Sequence, residues 1–284
     1  MGSADIVPGV SGGTIALILG IYERLVASIR EGSSALGTLL KRDISGFRSH
    51  LSQVEWAFLL PLLGGILLAV VTLASFIEHQ LEERPTIMAG AFFGLVIGSV
   101  VVAWALIKLP KPVHVVVVLG VGVALFFALG LGDDSVVSGP SGLQFFGAGA
   151  LAICAMILPG ISGSLMLLLV GMYTPLIGAV NERDLPTVGI FLAGAIVGLA
   201  LFSQVLHWAL SKHHDVVMAA LVGLMAGSLR IVWPWPEGVD SSALSRPGDD
   251  GLQVLLAAVV GFVAVFVITR LARSSTVSEQ LPTA

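Results

Sequence analysis

Ala4-Asp5-Ile6-Val7-Pro8-Gly9-Val10-Ser11-Gly12-Gly13 and Ala155-Met156-Ile157-Leu158-Pro159-Gly160-Ile161-Ser162-Gly163-Ser164 are two copies of one segment. Each breaks a hydrophobic run with the same glycine-rich, polar turn. Each then runs through an apolar stretch to Gly-x-Tyr, Gly20-Ile21-Tyr22 in the first copy and Gly171-Met172-Tyr173 in the second. The chain has 2 tyrosines and both fall in this register, which argues against chance. A duplicated, interrupted apolar segment is the mark of a transporter built from internal repeats.

Composition places the duplication in a membrane. Of 284 residues, 56% are hydrophobic and 11% charged, with a mean hydropathy of +0.99. A soluble domain carries about 25% charged residues. The chain therefore reads as an all-α polytopic membrane protein. The single cysteine, Cys154, lies in an apolar run, so no disulfide framework or cysteine metal site is expected. No basic stripe suggests nucleic acid, no cofactor is expected, and oligomeric state is not legible. The first residues lack the pattern of a removable signal peptide. An apolar run from about Leu143 to Leu158 precedes the second turn, whereas Met1 to Val7 precedes the first. The first arm of the first hairpin is accordingly expected to be cut short in this chain.

Six stretches, near 55–77, 86–107, 113–132, 187–210, 216–233 and 251–270, are long enough to cross hydrocarbon as helices. The remaining apolar segments, 1–29 and 143–180, are broken at Pro-Gly-x-Ser-Gly and read as helical hairpins. Lysines and arginines gather in the 30–53 loop, the 108–112 turn and the end at Arg270 and Arg273. The positive-inside rule assigns these, and the C-terminus, to the cytoplasm. Connections bearing Glu78, Glu82 and Glu83, Asp133 and Asp134, Glu182 and Asp184, and Glu237, Asp240, Asp249 and Asp250 are expected to face outward. Lys212 and Asp215 leave the 211–215 turn weakly marked. Three spans separate the hairpins, which inverts the second copy.

The expected fold is thus two inverted repeats, each a re-entrant hairpin plus three transmembrane helices. The first repeat covers 1–132 and the second 143–273, followed by a tail at 274–284. From Thr14 to Tyr22 and from Leu165 to Tyr173 the arms reach roughly 13 Å, about half the hydrocarbon, so the tips should meet near the midplane. Gly94-Leu95-Val96-Ile97-Gly98-Ser99 and Gly223-Leu224-Met225-Ala226-Gly227-Ser228 extend the repeat, and as Gly-x-x-x-Gly they permit close helix packing.

Irregular backbone at membrane depth must be buried in protein or line a wet cavity. Ser11 and Ser162 are N-cap residues for the arms that follow, and helix N-termini with accessible N–H groups attract anions. Ser11, Gly12, Gly13 and Thr14, with Ser162, Gly163 and Ser164, are the candidate anion donors. The breaks themselves are Pro8-Gly9 and Pro159-Gly160. The plainer alternative is that these residues only make a tight turn. Freed carbonyls beside Pro8 and Pro159, with Asp5 near, offer a site for a coupling proton or sodium ion. Asp5 breaks the symmetry, because Met156 is its counterpart. Arg230, before Trp233-Pro234-Trp235, fits either phosphate recognition or interfacial anchoring. Glu23, Arg24, His114 and His207 are expected at interfaces. No metal site is expected.

The doubled motif, together with Gly20-Ile21-Tyr22-Glu23 and the stretch Gly223 to Trp235, resembles the polyprenyl-phosphate transporter family over nearly the whole chain. The resemblance implies a flippase, not an enzyme. It would return undecaprenyl phosphate from the outer to the inner leaflet of the bacterial cytoplasmic membrane, recycling the lipid carrier of cell-wall synthesis. The alternatives are a secondary transporter of a small soluble anion or ion on the same fold, and an intramembrane serine hydrolase. The hydrolase is disfavoured because His114 and His207 fall at span ends, away from Ser11 and Ser162, and a nucleophilic serine needs a base within reach.

Overall fold

The computed structural model describes residues 1–5, 11–130, 136–236 and 244–279, with the backbone alone for Ser3, Asp5, Leu40 and residues 273–279. Every regular element among them is a helix. The order begins with α1 (Gly2–Asp5), α2 (Gly12–Ile18) and α3 (Tyr22–Leu40) from the first broken segment, then α4 (Ile44–Gln53). Three apolar helices follow, α5 (Trp56–Glu83), α6 (Pro85–Trp104) and α7 (Pro112–Gly130). The second broken segment gives α8 (Gly142–Ile157), α9 (Gly163–Leu169) and α10 (Tyr173–Asn181), and the chain closes with α11 (Leu185–Ser228) and α12 (Gly251–Glu279).

Five helices, α5, α6, α7, α11 and α12, are long and apolar enough to cross a membrane. They cover the six expected spans because α11 combines two. Its 44 residues would run roughly 66 Å if straight, about twice the hydrocarbon thickness. The run is interrupted at His213, whose φ of −131° and ψ of 41° are not helical. The expected turn at 211–215 is therefore a kink within a continuous element, with Asp215 accepting the N–H groups of Lys108 and Leu109 at 3.1 Å each. The second limb ends at Ser228 rather than near 233, because Pro234 and Pro236 disfavour helical backbone at Trp233 and Trp235.

The polar stretch 30–53, read from sequence as a loop, is mostly helical. It carries the end of α3 and all of α4. Arg42, in left-handed backbone at φ 58°, ends the first helix, and Asp43 caps the second by accepting the Gly46 N–H at 2.9 Å. Glu31 ties the pair, meeting Arg30 at 2.7 Å and His50 at 2.8 Å.

Small residues set which helices touch. A Cβ at Gly94 would lie 1.8 Å from the Ala258 carbonyl oxygen, and one at Gly261 would lie 2.0 Å from that of Ala91, so α6 and α12 pack backbone to backbone. The same arrangement joins α7 to the second limb of α11. A Cβ at Gly223 would meet the Val118 oxygen at 2.8 Å, and one at Gly227 the Gly122 oxygen at 2.7 Å. The two Gly-x-x-x-Gly segments thus do equivalent work: each holds the helix carrying it against the last long helix of the other half. Gly149, Gly194 and Gly198 bring α8 equally close to the first limb of α11. In lipid, where apolar contact has no solvent to escape, such close packing is the main source of helix adhesion.

Candidate functional site

The copied segments fold into matching pieces. Ser11 (φ −121°, ψ 139°) and Ser162 (φ −101°, ψ 147°) both stand in extended backbone as N-caps. The Ser11 hydroxyl accepts the Gly13 N–H at 3.1 Å, and that of Ser162 accepts the Leu165 N–H at 3.1 Å. Each caps a helix of 7 residues. Each helix then stops at a glycine in left-handed backbone, Gly20 at φ 73° and Gly171 at φ 67°. Paired bonds from Gly20 to Leu17 and Ile21 to Ala16, and from Gly171 to Leu168 and Met172 to Leu167, close the two ends alike. The Gly-x-Tyr signature is therefore a helix stop followed by a restart at Tyr22 and Tyr173. In the second copy this stop bends α9 from α10 by 111°.

The described part of the first tip is bonded to the second break. Thr14 Oγ1 accepts the Gly160 N–H at 2.9 Å, and Tyr22 Oη donates to the Ile157 carbonyl at 3.2 Å. The Ser11 hydroxyl lies 3.4 Å from the carbonyls of both Met156 and Leu158. Gly13 allows the approach, since a Cβ there would sit 2.8 Å from the Ile157 oxygen. On its other side the break leans on α11. Gly160, in left-handed backbone at φ 84°, would place a Cβ 2.7 Å from Met225 Cα. Only glycine meets both requirements. Ser11, Gly12, Gly13, Thr14, Pro159, Gly160 and Gly163 are all buried.

The structure thus brings the described part of the first tip against the second. The hydroxyls of Ser11 and Thr14, read from sequence as anion donors, meet the polar backbone that Pro159 frees, which cannot otherwise be satisfied away from water. Ser162 and Ser164 face one another at 3.1 Å, and Ser164 is exposed. Tyr22 is the participant that sequence reading passed over. Its signal was a phenol in an apolar segment, which needs a partner once buried. Pro8 and Gly9 lie outside the described residues, as do Asp133, Asp134, Glu237 and Asp240. Of Asp5 only the backbone, at the end of α1, is described.

Arg230 is the cationic candidate of the sequence reading. It lies just past α11, with its guanidinium carbon 5.0 Å from the Phe126 ring centroid and packed on Gly130, where a Cβ would come within 2.6 Å. With Phe93, Phe126, Leu229 and Trp233 it lines a cavity of about 330 Å³. Trp233 stacks edge-on against both Phe93 and Trp235, at 5.5 Å in each case. Its indole N–H donates to the Ser245 carbonyl at 3.1 Å, and that of Trp235 to Asp250 at 3.0 Å. Hydrogen bonds from Thr86 and Trp235 hold the Asp250 carboxyl below its usual range. This strap fixes the aromatic wall beside Arg230. Among the other residues expected at interfaces, Glu23 pairs with His214 at 2.9 Å and Arg24 lies over Phe58 at 4.3 Å. His114 is buried and accepts the Lys111 N–H at 3.1 Å.

A family model described as undecaprenyl phosphate translocase-like matches residues 1–250. The chain belongs to that family. It is 41% identical over 239 residues to a polyprenyl-phosphate transporter of Vibrio cholerae serotype O1, covering 84% of this chain and 76% of the relative. A polyprenyl-phosphate transporter of Staphylococcus aureus is 31% identical over 254 residues, covering 82% of this chain and 83% of that protein. No solved structure matches the chain. Family and helical architecture together make this a multi-pass membrane protein whose relatives are transporters rather than enzymes.

Proposed function

We propose that the protein carries undecaprenyl phosphate from the outer to the inner leaflet of the bacterial cytoplasmic membrane, returning the lipid carrier to cell-wall synthesis. The observation that carries this reading is the pairing of two duplicated, broken segments at one place in a chain whose relatives are named polyprenyl-phosphate transporters. A phosphate crossing hydrocarbon must be given substitutes for its hydration, and oriented N–H groups and hydroxyls supply them.

The two halves act as inverted repeats, and the broken segments as re-entrant hairpins entering from opposite faces. The exchanged packing of α6 on α12 and of α7 on α11 supports that arrangement. Of the two tips, the second takes the phosphate first, through Ser162, Gly163 and Ser164, with Ser164 exposed. Ser11, Gly12, Gly13 and Thr14 join when the tips part. Parting gives up the bonds from Thr14, Tyr22 and Ser11, at about 1 kcal/mol net each. Reversing a two-state population from 1:99 to 99:1 takes about 5.5 kcal/mol of differential binding, so the phosphate must bind the parted tips about 10⁴-fold more tightly than the closed ones to drive the separation. Arg230 assists from the aromatic-walled cavity. Asp5 takes up a coupling proton or sodium ion; an Asp5→Asn protein whose transport keeps its pH and sodium dependence would remove that role.

Purified protein in liposomes loaded with undecaprenyl phosphate in one leaflet tests the reading. Protein-dependent appearance of the lipid in the other leaflet is expected. Uptake of inorganic phosphate without lipid movement would replace it with a soluble-anion transporter.

A further inference from the structure

The cavity at Arg230 has a neighbour. A second depression, of about 230 Å³, runs along α7 beside α11 and is lined by Val118, Leu119, Gly122, Val123 and Phe127 together with Phe126 and Ala226. Phe126 and Ala226 line the Arg230 cavity as well, so the two depressions adjoin along these side chains. The floor exists because the helices touch through small residues. A Cβ at Gly122 would lie 3.2 Å from the Gly223 oxygen and 3.8 Å from the Ala226 Cβ. Leu119, Val123 and Phe127, spaced four residues apart and 59%, 53% and 63% exposed, form the outer rim. From Val118 to Phe127 the groove follows nine residue steps of helix, roughly 13 Å, about half the hydrocarbon thickness. Arg230 is the one charged residue among the described residues lining either depression.

A cation at one end of a track whose described lining is otherwise uncharged and mostly apolar is complementary to an amphiphile with an anionic head and a hydrocarbon chain. We propose that this groove between α7 and α11 is the binding track for the head-proximal isoprene units of the lipid, with its phosphate at Arg230. The proposal rests on the transport reading and deepens it, because it places head and tail of one lipid against named residues. The recess at Gly122 and Ala226 admits the methyl branches of an isoprenoid, and Phe126 and Phe127 present ring surface to its double bonds. The tail comes from lipid that is itself apolar, so the track gains packing rather than hydrophobic transfer. It serves mainly to align the chain while the head leaves Arg230 for the tips.

Equilibrium binding of radiolabelled undecaprenyl phosphate and of dimethylallyl phosphate, which carries one isoprene unit, to the full chain in phosphatidylcholine nanodiscs tests this. Val123→Trp, which fills the track from its exposed rim, should weaken undecaprenyl phosphate binding about 5- to 10-fold, the size of a lost packing contact, and leave dimethylallyl phosphate unchanged. Arg230→Ala should weaken both about 10-fold or more, as expected for a charge-assisted contact. Leu256→Trp, equally exposed on α12, should change neither and controls for added bulk at the lipid surface. Wild-type affinity for undecaprenyl phosphate in Val123→Trp would overturn the track, as would its displacement by dioleoyl phosphatidic acid mole for mole. A wild-type protein that binds no undecaprenyl phosphate at all would instead bring down the transport reading, and this proposal with it.

Discussion

The first and second tips are the same seven-residue helix between the same serine cap and the same left-handed glycine, yet their side chains have parted company. In the first copy Ser11, Thr14 and Tyr22 are buried against the second break and bonded to its backbone. In the second, the position of Gly13 is an exposed Ser164, the position of Thr14 is Leu165, and Tyr173 is 36% exposed where Tyr22 is 1%. The serine caps and glycine stops give the two helices matching ends, while the residues around them decide what each copy touches: Thr14 and Tyr22 bond to the second break, and Ser164 and Tyr173 are exposed.

Equivalent positions in the two copies give the sharpest ways to break that contrast. Gly13→Ala forces a methyl into the Ile157 carbonyl, backbone that cannot swing away, and should cost about 3 kcal/mol or more. Ser164→Ala, at the matching position, should stay within about 0.5 kcal/mol because the site is exposed. Thermal unfolding in detergent compares them, and equal losses would erase the distinction. Thr14→Val comes next. It leaves the buried Gly160 N–H without its acceptor, at about 1–3 kcal/mol, and should raise hydrogen exchange at Gly160. Unaltered exchange there would show that the clasp does not hold the break. The smallest contrast is Tyr22→Phe against Tyr173→Phe. The first removes the bond to Ile157 and should cost about 1 kcal/mol, and the second should cost close to nothing. Differential scanning of the two proteins side by side decides it.

Much of this was legible in the residues. Pro-Gly-x-Ser-Gly gave both caps and the second break, Gly20 and Gly171 the helix stops, and the apolar runs the spans. Small residues at Gly94, Gly98, Gly223 and Gly227 announced close packing, but a small face does not name its partner. The exchange of α6 onto α12 and α7 onto α11 needed the tertiary structure. The kink at His213 was hidden because Lys212 and Asp215 look like a short connecting turn, while the helix absorbs the break at one residue. Serine and threonine at the tips advertise hydrogen bonding, yet sequence cannot say whether the partner is a phosphate or the backbone of the other broken segment. The groove beside Arg230 was not legible at all, since Leu119, Val123 and Phe127 look like any lipid-facing stripe.

The central claim is that the open second tip takes the lipid phosphate before the first tip, which holds the clasp until the tips part. The most direct measurement is the initial rate of undecaprenyl phosphate translocation in liposomes by the Ser162→Ala/Ser164→Ala protein beside the wild type, at matched amounts of folded protein. A rate at least about tenfold lower is expected, the effect of losing two hydroxyl contacts to a charged group. Translocation by the double variant at the wild-type rate would contradict the account.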